Sequence, residues 1–135
     1  MSLQLQSNYT YPPNFFTNDG RAVIYFERGK TALLIEEIVL CQGVGNYTII
    51  QYKDGRKILF SKTLKDFCEL FGEFFFVRVS KAYLINLKYL KECSNDGELC
   101  VVMNTEQRIE ISRRRRSDFQ TELQRFLRKK SKTGF

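Results

Sequence analysis

Short apolar blocks separated by turn residues make up most of the chain, and their length and composition predict strands. Ala22 to Phe26 and Thr31 to Ile35 are rich in β-branched and aromatic residues, with Arg28-Gly29-Lys30 as the turn between them. Glu36 and Glu37 interrupt the apolar run, Val39 to Gln42 resumes it as a short strand, and Gly43-Val44-Gly45-Asn46 reads as a glycine-bounded loop. Tyr47 to Tyr52 and Lys57 to Phe60 flank Asp54-Gly55, two residues that tolerate positive φ, so a hairpin is predicted. Thr63-Leu64-Lys65-Asp66 has the form of a capping box. Leu64, Phe67, Cys68 and Phe71 follow at helical spacing, and Gly72 is expected to stop this one short amphipathic helix.

The next stretch, Phe74 to Asn86, is an apolar run broken by one polar tip. If Phe74 to Val77 and Tyr83 to Leu87 are anchored in the core, the tip carrying Arg78, Ser80 and Lys81 is held outward with little entropy left to lose, as a recognition loop requires. The plainer alternative is two core strands joined by a solvated turn. Tyr89 to Cys93 and Leu99 to Met103 flank Ser94-Asn95-Asp96-Gly97, a second hairpin signal, and the alternation in Arg108-Ile109-Glu110-Ile111 adds a third strand. A final helix is predicted with Phe119, Leu123, Phe126 and Leu127 as its buried stripe; Ser117 with Gln120 is one possible cap and Ser112 the other. Met1 to Gly20 shows no period and reads as a linker or arm. The order predicts a mostly β fold of antiparallel strands, α+β only in a minor sense, with helices as accessories. Two adjacent helices suited to a helix-turn-helix are absent from the pattern.

At 135 residues and 43% hydrophobic content, with 12 Phe, the chain suits one domain with its own core: an arm over residues 1–20, the domain over 21–128 and a basic tail over 129–135. The opening Met1-Ser2-Leu3 suits a cloning remnant, and the arm suits a connection to a longer protein. With no membrane-span-sized apolar run and no signal-peptide pattern, a cytoplasmic protein is expected. Cys41, Cys68, Cys93 and Cys100 lack zinc-site spacing, and the chain has no histidine, so they are expected to be reduced and mostly buried, with no metal and no cofactor. The same lack of histidine, of a glycine-rich phosphate cradle and of a nucleophile motif argues against an enzyme.

The net charge of +7 is concentrated at one end. Residues 113–132 carry nine basic side chains against Asp118 and Glu122, a surplus of seven that equals the charge of the whole chain. Such a field suits a polyanion, whose condensed counterions are released on binding. A solubilising tail is the bland alternative.

Val39-Leu40-Cys41 leading to Gly45-Asn46-Tyr47, Thr63-Leu64 opening a helix, Phe76-Val77-Arg78-Val79 with Ser80-Lys81-Ala82-Tyr83-Leu84-Ile85-Asn86, and Ile111-Ser112-Arg113 together resemble the LytTR family of bacterial DNA-binding domains, over roughly Ala22 to Leu127. The resemblance implies an elongated stack of small antiparallel sheets with short helices, and loops that enter successive major grooves on one face of double-stranded DNA. It implies a transcriptional regulator, standing alone or as the effector of a two-component response regulator. Its partners would be repeated half-sites, a second copy of the chain, and a receiver domain or sensor kinase upstream. The contacting positions it implies are Asn46 and Tyr47 in the first loop, Arg78, Ser80 and Lys81 in the second, and Ser112, Arg113, Arg114 and Arg116 in the third. Asn46 has an amide suited to adenine, and Arg114 or Arg113 a guanidinium suited to guanine. Lys81 and Ser80 stand where the family usually has arginine or asparagine and histidine, and Arg78 is a candidate for an internal ion pair with a carboxylate. Non-sequence-specific binding of nucleic acid or of an anionic membrane through the basic C-terminus is the alternative function.

Overall fold

The computed structural model describes residues 5–6, 15–16, 22–26, 31–72, 74–94 and 98–132. Twelve strands form three sheets among these residues. Strands β1 (Leu5–Gln6), β7 (Lys57–Phe60), β6 (Tyr47–Tyr52), β5 (Ile38–Val44), β9 (Tyr83–Asn86) and β8 (Phe76–Arg78) lie side by side in that order, antiparallel throughout except for the β1–β7 edge pair. A second sheet is β10 (Leu90–Ser94), β11 (Cys100–Met103) and β12 (Arg108–Glu110), and a third is β2 (Phe15–Phe16), β3 (Ala22–Phe26) and β4 (Thr31–Leu34). The two helices are α1 (Leu64–Leu70) and α2 (Arg116–Lys132). The expected turn at Arg28-Gly29-Lys30 and the Asn95-Asp96-Gly97 part of the second hairpin signal lie outside the described residues.

The middle of the six-stranded sheet is covered on both faces, which is why its strands read as nearly unbroken apolar runs instead of alternating ones. Successive residues diverge to opposite sides. Cys41, Phe76 and Leu84 join Phe60, Phe67 and Phe71 in one cluster with α1, whereas Leu40, Val77 and Ile85 join Val101, Ile109, Ile111 and Phe119 in the other, beneath the second sheet and α2. Buried Asn86 is fixed between these layers: its Nδ2 donates to the Ile38 carbonyl at 2.9 Å and its Oδ1 accepts from the Lys88 amide at 3.0 Å. Both halves of that side-chain amide are thus satisfied, as burial requires.

α1 starts where its sequence dictates. The Thr63 hydroxyl accepts from the Asp66 amide at 3.2 Å, and the Asp66 carboxylate accepts from the Thr63 amide at 3.1 Å. It ends just before Gly72 as expected, with Leu70 its last residue and Phe71 its C-cap, and the left-handed residue that follows is Phe75, at φ 61°. That conformation delays the strand to Phe76 and turns the Phe75 ring onto α2, where it meets the edge of Phe126 at 5.2 Å between centroids, with Arg125 and Lys129 over its face.

Four further expectations are corrected. Gly43 and Val44 belong to β5, so the first loop shrinks to a two-residue turn. The second sheet begins at Leu90, because Leu87–Tyr89 form a 3-10 turn. Leu127 is 53% exposed and leaves the buried stripe of α2, which is Phe119 with half-buried Leu123 and Phe126. Cys93 is exposed, on an edge strand with little cover, while Cys41 and Cys100 are buried; all four are free thiols.

Candidate nucleic-acid interface

Three chain segments meet at one end of the six-stranded sheet. The first is the β5–β6 turn, Gly45–Asn46, closed by the facing pair Val44 and Tyr47. Gly45 has φ 60° and Asn46 does not, the pattern of a type II′ turn, whose twist matches that of the flanking strands. Asn46 is exposed at the tip and Tyr47 is 42% exposed beside it.

The second segment joins β8 to β9. Its shape comes from Arg78, whose Nε donates to the Ser80 carbonyl at 3.2 Å and whose guanidinium reaches the Lys81 carbonyl at 2.8 Å. The Ser80 hydroxyl accepts from the Ala82 amide at 3.2 Å, and the Val79 amide donates to the Tyr83 carbonyl at 3.0 Å. Arg78 therefore clasps two backbone carbonyls of its own loop instead of the expected carboxylate. The Lys81 side chain is left exposed.

The third segment is the arginine run. The Ser112 amide donates to the Val79 carbonyl at 2.8 Å, and Arg113–Arg115 form a 3-10 turn that leads into α2 at Arg116. Ser112, not Ser117, is the boundary residue, although its hydroxyl makes no cap bond. Arginine is an uncommon choice before a helix N-terminus, because the positive end of the helix dipole adds to the repulsion among the guanidinium groups. The resulting field favours an anion placed there.

Backbone hydrogen bonds tie the three together. The Gly43 amide donates to the Ala82 carbonyl at 2.8 Å, which fixes the first turn beside the second loop, as the Ser112 bond fixes the third. A cleft of about 650 Å³ results, lined by Arg78, Lys81, Ser112, Arg113, Arg114 and Arg115 and by no carboxylate. Ser80 shapes the loop but does not line this cleft, and Asn46 and Tyr47 sit at the neighbouring turn. Arg116 lies apart from it, half-buried, with a buried Nε that has no partner, close enough to Glu110 to favour its ionised form. Arg115, which no spacing argument singled out within a run of four, is the residue that takes its place.

Among the described residues no cluster of His, Cys, Asp or Glu suits a metal ion, and no helix is long and apolar enough to cross a membrane. The model of the LytTr DNA-binding domain matches residues 28–124. The chain belongs to the LytTR family. All three segments of the candidate interface fall inside that match, and DNA is the partner of this family of domains. The fold is also that of a LytTr DNA-binding domain from Bacillus cereus, with a TM-score of 0.63 over 79% of this chain and 91% of that one at 16% identity. No curated protein matches the chain. Within this LytTR domain the family pattern thus falls on a mostly β scaffold with few helices, as its resemblance implied.

Proposed function

We propose that this LytTR domain binds double-stranded DNA sequence-specifically as the effector part of a transcriptional regulator, presenting the Gly45–Asn46 turn, the Lys81 loop and the arginine run to successive major grooves. The observation that supports this most is the pair of backbone bonds, Gly43 to Ala82 and Ser112 to Val79, that unite three polar tips from distant parts of the chain. Asn46 is assigned to adenine and Arg114 or Arg113 to guanine, while Lys81, Arg115 and the other arginines hold phosphates; Tyr47 and Ser112 flank these contacts. Arg78 and Ser80 act indirectly by holding the loop. Three contacts specify few base pairs, so two copies on repeated half-sites supply the selectivity. A receiver domain or sensor kinase upstream would control that pairing, in the cytoplasm, where the chromosome lies.

Selection from random duplex DNA at two salt concentrations tests the proposal: a defined preferred sequence is expected, bound more weakly as salt rises. Enrichment of no sequence above background would remove it. The other reading, charge-driven binding through the C-terminal residues, predicts that truncation after Leu127 abolishes binding. Specific binding predicts that it survives. The contacts of Arg125 and Lys129 with the Phe75 ring favour specific binding, since they engage part of the basic helix within the domain.

A further inference from the structure

Val44 and Tyr47 are large apolar side chains left 48% and 42% exposed, and they face each other across the β5–β6 turn. Directly opposed residues of an antiparallel pair project to the same face, and alternation along β5 identifies which face it is. Cys41 and Gly43 point toward α1: Cys41 belongs to that cluster, and a Cβ on Gly43 would meet Leu64 at 3.4 Å. Leu40, Gln42 and Val44 therefore project to the opposite face, where Leu40 packs in the cluster of Ile111 and Phe119 and Gln42 pairs with Tyr83. The arginine run continues from Ile111 on that side. Val44 thus lies one residue beyond the bond from Gly43 to Ala82, the chain neighbour of Lys81, and projects to the face away from α1, outside the lining of the arginine cleft itself.

An exposed valine beside a concentration of positive charge would be poorly placed against a protein core, but it suits a base edge carrying a methyl group. We propose that Val44, backed by the Tyr47 ring, is a specificity-determining residue that packs on the C5-methyl of a thymine next to the base contacted by Asn46. This rests on the proposed sequence-specific binding and adds a contact with no hydrogen bond in it. Only thymine offers such a methyl in the major groove, so the contact discriminates by burial of apolar surface.

The test replaces each thymine of the selected sequence, one at a time, by deoxyuridine, which removes the methyl and leaves the hydrogen-bonding edge unchanged. At one thymine, uracil is expected to weaken binding by the unaltered chain about fourfold, the effect of leaving one methyl in water. Val44→Ala is expected to lower affinity for the thymine duplex by a similar factor and to bind thymine and uracil duplexes alike. Val44→Thr, close in shape, reports the same loss in part, and an unchanged melting temperature in both variants shows that the turn is intact. Persistence of the full thymine preference in Val44→Ala, or a selected sequence in which no thymine responds to the exchange, overturns the inference while leaving sequence-specific binding in place. Absence of any selected sequence overturns both.

Discussion

The amide of Ser112 donates to the carbonyl of Val79 at 2.8 Å, and this bond couples two stretches of chain that lie 33 residues apart. Ser112 has φ −63°, an angle that proline adopts without strain. Ser112→Pro therefore deletes the donor without backbone strain, and Ser112→Ala, which loses the hydroxyl of a cleft-lining residue but keeps the donor, is its control. Stability should fall by about 1 kcal/mol, the usual net value of one such bond, as measured by denaturant unfolding. DNA affinity should fall by more than the unfolding change explains, because the arginine run loses its attachment to the Lys81 loop. Unchanged affinity would show that the run positions itself.

The clasp of Arg78 on the Ser80 and Lys81 carbonyls depends on a planar fork, not on charge alone. Arg78→Lys keeps the charge and removes the fork. Affinity for the preferred duplex should drop roughly threefold to tenfold, with the slope of binding against salt unchanged, since no phosphate contact is lost. A fall in that slope would mean that Arg78 itself binds phosphate.

Arg114 and Arg116 should behave differently although they are neighbours in one run. Arg114 is exposed in the cleft, and Arg114→Ala is expected to lose about 1–3 kcal/mol on the preferred sequence and to relax its selectivity. Arg116 stands outside the cleft and near Glu110. Arg116→Ala should weaken all duplexes alike if that side chain reaches a phosphate; titration of preferred and scrambled duplexes at several salt concentrations distinguishes the two patterns.

Glu98, just before β11, lies beside Glu110 of β12, where the Ile111 amide donates to the Leu99 carbonyl. The hydrogen bond that protonated Glu110 donates to the Glu98 carboxylate, and the repulsion between the two carboxylates when both are ionised, raise the pKa of Glu110 above its usual value, against a smaller lowering by Arg116. The folded chain then holds a proton that the unfolded chain releases at lower pH. Its favourable contribution is complete below the unfolded carboxylate pKa and is lost as pH rises through the raised one. Glu110→Gln should accordingly raise the melting temperature near pH 7 and leave it almost unchanged near pH 3, the comparison being made by thermal unfolding at about those two values. Equal shifts at both would exclude the carboxylate pair as their source.

Local instructions are legible in the residues because they act over a few bonds. The Thr63–Asp66 capping box and the Asp54-Gly55 hairpin form where the sequence places them, and the strands around the Lys81 loop are opposed as expected, although the first starts at Phe76 and the second ends at Asn86. At Asp54-Gly55 only glycine takes the positive φ, while the Asp54 carboxylate accepts from the Arg56 amide at 3.0 Å and pairs with its guanidinium at 2.8 Å. The apolar run Val39 to Gln42 announced a strand, but that both of its faces are covered is a tertiary fact.

The sequence by itself determined the strands from Ala22 onward, the first helix, the family and the placement of positive charge near one end, for these depend on patterns of neighbouring residues; it missed β1 and β2, short pairs within the stretch read as an arm, whose partners β7 and β3 lie elsewhere in the chain. Tertiary structure alone decided that Gly45–Asn46 is a two-residue turn, that Phe75 adopts a left-handed conformation against α2, that Arg78 clasps carbonyls and that Arg115 lines the cleft in place of Arg116. Each of those outcomes is set by contacts between segments far apart in the chain. The bonds from Gly43 to Ala82 and from Ser112 to Val79 exist only once the sheet has assembled, and with them the common end that carries the candidate interface.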